Sequence, residues 1–380
     1  MLQGRGLDYR ERNEIVNSAV SAAINNALDS EEDLYQLTVR LAAFAGRYSA
    51  SNIFMILHQM PEARYCQSKA AWAKDGYPVY AGQEPLLIMS PITTVTVHEN
   101  GKEINLDDAS EETRKAYRKG RIKGSSKVEG YKYIHTYDIS QTNATASHLR
   151  KMNQMQFAEY EYGYFMDVLA KYAKESMNVD LKSITEYPDL YDRYRKSAYY
   201  FPAQGAGTIY LNPELTDREA VSCFLRELTR KLIPEYDSLK LDIMLHNETD
   251  KTENLKELFR GDRKQMLESA EAEAEFKADL IRSLFMLRFG IEPTADERQK
   301  MYDHFSDAYY DDAKEFMGLF KVFQSHCGKM EEMIGRLMLE KKVFNVKSIM
   351  IEKTETLYNL DRKERAVHKQ INANKRSIHR

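Results

Sequence analysis

The chain has 380 residues, room for two domains of ordinary size, and its 55 Lys and Arg against 58 Asp and Glu leave a formal net charge of -3. That balance excludes a bulk polycation, so any nucleic-acid surface must be local, and with 43% hydrophobic residues the chain reads as globular with well-charged helices. The three cysteines, Cys66, Cys223 and Cys327, are scattered without a CxxC, which argues against a disulfide framework or zinc ribbon and predicts a reducing, cytoplasmic setting.

No signal peptide and no apolar run of membrane-spanning length is visible, so no membrane partner is expected. The nine histidines are dispersed, none at a ligand spacing from another, and there is neither a Walker loop nor a GxGxxG. No metal and no cofactor are expected on these grounds.

The first segment, to about Pro61, reads helical. Ile15, Ala19, Ala23 and Ala27 form an apolar stripe with Val16, Val20 and Ile24 alongside; Ser30 can cap a second helix carrying Leu34, Leu37, Leu41 and Phe44. Tyr48-Ser49-Ala50-Ser51-Asn52 leads into a third helix that ends at Pro61. Trp72 follows, then Leu86–Met89 as a short buried strand closed by Pro91, and Thr93–His98 pairing across Asn100-Gly101 with Glu103–Asn105.

Between that hairpin and a strand at Tyr131–Ile139 lies a charged insert, residues 99–130. Its second half holds Arg114, Lys115, Arg118, Lys119, Arg121, Lys123 and Lys127, with Tyr117 among them. Two readings stand: a solvated, mobile loop, or a basic arm that touches nucleic-acid backbone with Tyr117 available to stack.

Leu149 to about Met177 reads as a long helix, and Ile184–Arg195 as a surface connection. Ser197–Ile233 then organises the second half of the chain. Tyr199–Phe201 and Thr208–Leu211 form a hairpin around Gln204–Gly207; Thr216 or Asp217 caps a helix whose Val221, Leu225, Leu228 and Leu232 share one buried face. Arg226 and Arg230 lie one turn apart on that helix, with Glu227 beside the first. Residues 262–288 read as another helix, and Phe316, Leu319, Phe320, Val322 and Phe323 as the apolar face of a last one. Beyond residue 341 an extension ends in a basic segment, Asp361–Arg380, either a second arm or a solvated end.

Tyr48-Ser-x-x-Asn52, Pro61-x-Ala63, Trp72, Gly82-x-Glu84, Pro91 and Tyr137-Asp-Ile-Ser-Gln-Thr142, in that order, resemble the N-terminal domain of the ArdC/LtrC-like antirestriction proteins. The resemblance implies a single-stranded-DNA-binding N-terminal domain followed by a zincin-like metallopeptidase domain, and it adds Tyr48, Asn52 and Trp72 to the nucleic-acid candidates. Ala81 and Pro85 stand where the family commonly carries Lys, so two phosphate contacts of that turn are missing.

Arg226-Glu227-Leu228-Thr229-Arg230 resembles the zincin H-E-x-x-H, in which two His one turn apart hold zinc and Glu is the general base. Both ligand positions are Arg here, and a guanidinium has no lone pair to offer a metal. Glu271-Ala-Glu273-Ala-Glu275 resembles the stretch that supplies the third ligand, which places it at Glu273, with Glu275 the nearest substitute. Glu227 is then vestigial, with no metal-bound water to deprotonate. The two Arg either tie the helices together through carboxylates, Arg230 to Glu273, or face solvent, or make an anion site.

The fold expected is α+β: residues 1–145 an N-terminal helix-plus-small-β-sheet domain, residues 146–340 a mostly helical degenerate zincin-like domain with a β-hairpin, residues 341–380 a basic extension. The function expected is that of a non-catalytic nucleic-acid- or protein-binding factor of a mobile element or phage. It would act as an anti-defence protein whose partner is single-stranded nucleic acid or a host defence protein. The alternative is a pseudo-peptidase that holds a partner protein in its dead cleft without nucleic acid.

Overall fold

The computed structural model describes residues 7–144, 162–186, 198–203, 206–233, 260–308 and 312–341. The first part of the expected long helix, the connection 187–195, part of the hairpin turn, the segment 234–257 and the extension after residue 341 lie outside the described residues. By its contacts the chain divides into two units: Met1–Val20 with Phe54–Asn143, and Ser21–Ile53 with Ala144–Arg380. The architecture is α+β, with helices and a sheet in the first unit and a mostly helical second unit carrying a β-hairpin.

Helix α1 spans Tyr9–Ala27, α2 Glu31–Phe44 and α3 Ala50–Gln59. Ser30 caps α2 by accepting from the Asp33 N–H. In the first unit a four-stranded antiparallel sheet runs in the order β1 (Cys66–Gln67), β4 (Gly124–Asp138), β2 (Leu86–Glu99), β3 (Lys102–Asn105). Helix α4 (Lys69–Lys74) follows β1, and α5 (Glu111–Arg118) follows β3. The Asn100-Gly101 turn has φ of 52° and 75°, both left-handed, as a two-residue hairpin requires.

Two strand expectations are corrected. Pro91 does not close a strand: β2 runs through it, pairing Pro91 with Tyr131. The Leu87 N–H and C=O both turn away from β4, to the Gln59 side-chain amide, so Pro91, four residues on, directs its missing N–H to the same outer edge and costs the ladder nothing. The insert is not a loop either. Its cations lie on α5, on the turn after it and on β4, which begins at Gly124 rather than at Tyr131 and accommodates Glu129 as the extra residue of a bulge opposite Ile92/Thr93.

The Tyr137–Thr142 motif fastens the end of β4. Asp138 accepts from the Arg64 and Tyr65 N–H groups at 2.7 and 3.0 Å and from the Ser140 N–H at 2.9 Å. Gln141 takes the Asp138 N–H and donates to the Glu84 carbonyl. The motif is therefore a buried polar lock that joins three loops to the sheet.

In the second unit α6 (Tyr162–Met177) leads to β5 (Val179–Ser183), which pairs in parallel with β7 (Ala206–Leu211); β6 (Ala198–Ala203) completes the sheet, antiparallel to β7. Helix α7 (Asp217–Leu232) starts at a capping box, Thr216 with Glu219, and buries Val221, Leu225 and Leu228 as its spacing predicts, while Leu232 at its end is half-buried. Helices α8 (Arg260–Arg288), α9 (Ala295–Asp307) and α10 (Ala313–Lys341) supply the aromatic core around Phe276, Phe285, Phe305 and Phe323. Helix α2 belongs to this unit: Arg298 pairs with Glu31 at 2.5 Å, and the Tyr35 hydroxyl donates to Glu292.

Candidate functional site

The helix that carries Arg226-Glu227-Leu228-Thr229-Arg230 lies between the hairpin and α8. Its apolar face is committed to the core, which fixes where the polar residues of the same turns must go. Glu227 and Arg230 are buried, at 3% and 8% exposure. One carboxylate oxygen of Glu227, Oε2, accepts from the Tyr200 N–H at 2.8 Å and faces Arg230 Nη1 at 3.0 Å; the other lies 3.9 Å from Arg226 Nη1. A carboxylate held in this way is a structural acceptor that ties the hairpin to the helix.

Arg226 reaches α8. Its guanidinium bonds Glu275 and lies 3.3 Å from Asp279 Oδ1. Arg282, on the same helix, also meets Asp279 at 3.3 Å, and His304 of α9 meets its other oxygen at 3.0 Å. Three guanidiniums, Arg226, Arg230 and Arg282, thus face three carboxylates, Glu227, Glu275 and Asp279. Burial alone would push the Asp279 carboxyl up; the His304 hydrogen bond and the two Arg outweigh it and hold it below the usual range. The Asp279 hydrogen bond in turn raises His304.

The expected pairing of Arg230 with Glu273 is corrected. Glu273 is bound by Lys277 at 2.5 Å, one turn along α8, while the neighbouring carboxylate Glu275 takes Arg226. Residues 273 and 275 differ by about 200° around a helix axis, so only one of them can face α7. The solvent-facing alternative is corrected with it, since Arg230 is buried and Arg226 is engaged on α8. Asp279, Arg282 and His304 were not legible as members of the cluster; α9 gives no local signal that its His304 meets α8.

Among the described residues no group of three or more His, Cys, Asp or Glu is arranged to hold a metal ion. Burial pushes the Cys223 thiol, one turn before Glu227, up to about 11, which suits a packing residue rather than a nucleophile.

Part of the hairpin edge is blocked as well. Backbone groups alternate sides along a strand, and because the Tyr200 N–H points away from β7, that of residue 202 would too. Glu227 occupies the first of these donors, and Pro202 has none.

The nucleic-acid candidates fall into two groups. Trp72 is corrected: it is wholly buried, donates its indole N–H to the Tyr137 carbonyl at 2.8 Å and meets Tyr65 edge-on, so no base can stack on it. Tyr48 and Asn52 are half-buried, and Tyr48 packs on Phe44. Lys115, Arg118, Lys119, Arg121, Lys123 and Lys127 are exposed on α5, β4 and the turn between them; Arg114 and Tyr117 are half-buried. Lys115 pairs with Glu111 and Lys127 with Glu129, both as exposed surface pairs that leave the cations accessible. From residue 113 to 128 the segment contains no acidic residue.

No family model matches the chain. An uncharacterized protein of Bacillus anthracis, pXO2-81, is 26% identical to it over 145 residues, 38% of this chain and 24% of that protein, so the match spans about a quarter of the relative's length. Among solved structures, the metal-free crystal structure of the antirestriction protein ArdC from the R388 plasmid covers 80% of this chain and 98% of its own, at 14% identity and a TM-score of 0.34.

Proposed function

We propose that the chain is a non-catalytic nucleic-acid-binding factor of a mobile element or phage, and that it works as an anti-defence protein by occupying nucleic acid rather than by cutting anything. The observation that carries the binding half of this reading is the tip of the first unit. Its cations run from Arg114 to Lys127 on a helix, a turn and a strand with no acidic residue between them, and most are exposed. Such a surface attracts phosphates and releases counterions on binding. The anti-defence half rests on the order of motifs shared with the antirestriction proteins.

The absence of peptidase chemistry rests on the donor set. Arg226 and Arg230 cannot ligate zinc, and Glu227 is held through Oε2 by the Tyr200 N–H and Arg230. The alternative of a partner segment held in the dead cleft loses its simplest form, since an added strand needs free backbone donors on β6 and meets Glu227 and Pro202 instead.

Titration of the full chain with DNA and RNA, single- and double-stranded, at low and physiological salt tests the reading. A variant with Lys115, Arg118, Lys119 and Arg121 changed to Ala serves beside it. Binding that weakens steeply with salt, with a shallower slope in the variant, is expected. No binding at either salt, or binding the variant keeps in full, would sink it.

A further inference from the structure

The tip has two faces, and they differ. Paired residues of neighbouring strands share a face, and successive residues alternate. Val95, Val97, Ile104 and Gly124 therefore point one way, toward α5. Glu99 on that side accepts from Ser110 and Thr113 of the helix start, Val97 is buried, and a Cβ at Gly124 would come within 3.0 Å of Val95 Cγ1 and 3.1 Å of the Tyr117 ring. The opposite face, away from α5, carries Thr94, Thr96, His98, Glu103, Asn105, Ser125 and Lys127. Thr96 donates to Glu103 Oε1 at 2.9 Å, and Asn105 Oδ1 accepts from the Asp107 N–H at 3.0 Å. Thr96 and Ser125 share a hydroxyl–hydroxyl bond at 2.6 Å, which aligns the centre of this face.

These side chains are hydrogen-bonding groups of the kind that read base edges, with Thr and Ser versatile, Lys suited to guanine and Glu to the cytosine amino group. Aromatics, on which single strands stack, are missing from it: Tyr117 is on the helix side, and Trp72 is in the core. Lys127 lies on the helix-free face of β4, and Lys132 continues the same line beyond the bulge, exposed. Four residues of strand span about 13 Å, roughly the width of a major groove.

From this we infer that the β3-β2-β4 tip binds duplex DNA, laying its helix-free face in the major groove with Thr94, Thr96 and Ser125 toward the base edges and the β4 lysines on the flanking phosphates. The inference rests on the nucleic-acid reading above and narrows it, because the family resemblance implies a single strand.

The test uses the full chain, a short labelled duplex and each of its strands, with methyl green as a major-groove competitor and distamycin as a minor-groove one. Two exposed substitutions, Ser125→Glu and Lys127→Glu, alter the face, and unchanged thermal melting shows that the fold is kept. The duplex is expected to bind about tenfold more tightly than either strand, to be displaced by methyl green and not by distamycin, and to lose about 10–100-fold in affinity in the double variant. Preference for the single strand, displacement by distamycin alone, or indifference to the double variant overturns the groove assignment and leaves the nucleic-acid reading in place. No binding to any nucleic acid overturns both.

Discussion

Arg226 shows how much one guanidinium can tie together. A guanidinium joins α7 to α8 through Glu275 and Asp279, as a metal shared between two helices would, but it does so by hydrogen bonds and charge and offers no reactive coordination position. Burying such charges is costly, so the pair stabilises little over an apolar contact, whereas removing one partner strands the others. Arg226→Ala is expected to cost about 2–4 kcal/mol in urea unfolding, and Arg226→Leu with Glu275→Leu to cost less than the single change. A double variant worse than the single one would mean the carboxylates have other partners strong enough to hold them. His304 titrates within the same cluster. Its folded pKa is raised by the Asp279 hydrogen bond, so its contribution is fully present below the unfolded value of 6.5 and is lost as pH rises through the folded one. Stability measured against pH should therefore fall above 6.5 in the native chain, and His304→Gln should flatten that part of the curve.

At the scale of elements, two ends carry more than their length suggests. The end of β4 depends on Asp138, whose carboxylate satisfies backbone N–H groups of Arg64, Tyr65 and Ser140 in the interior. Asp138→Ala leaves those donors unpaired and is expected to cost about 2–4 kcal/mol, read as a lowered melting temperature. The start of α9 depends on Glu297. Burial alone would raise its carboxyl, but bonds from Arg218, Ser222 and the Thr294 N–H bring it down to about 2. Because the folded pKa lies below the unfolded 4.5, this contribution is complete above pH 4.5 and disappears as pH falls through about 2. Acid unfolding of Glu297→Gln should accordingly be less steep over that window. The elements themselves were largely legible, since the hairpin turn, the Ser30 and Thr216 caps and the apolar face of α7 are local patterns. Pairing was not. Nothing near Pro91 reveals that its N–H side lies at a sheet edge, and the i, i+2 choice between Glu273 and Glu275 depends on how α8 is rotated against α7.

At the scale of the molecule, a near-neutral balance decides how the tip must work. With 55 cationic and 58 anionic residues the chain as a whole has no attraction for a polyanion, and at physiological ionic strength charges farther than about 8 Å from a phosphate are screened. A bulk polycation loses little when four of its charges are removed, because others take their place. Here the cations of α5 and of the turn into β4 have a small reserve on the same segment, Arg114, Lys123 and Lys127, because Asp107, Asp108, Glu111 and Glu112 precede them and Glu129 follows. Retention on immobilised heparin is a direct readout of this difference. The native chain is expected to bind at low salt and elute near physiological salt, and the variant with Lys115, Arg118, Lys119 and Arg121 changed to Ala to flow through at low salt. Elution of the two at the same salt would place the polyanion contact elsewhere and remove the tip from the binding surface.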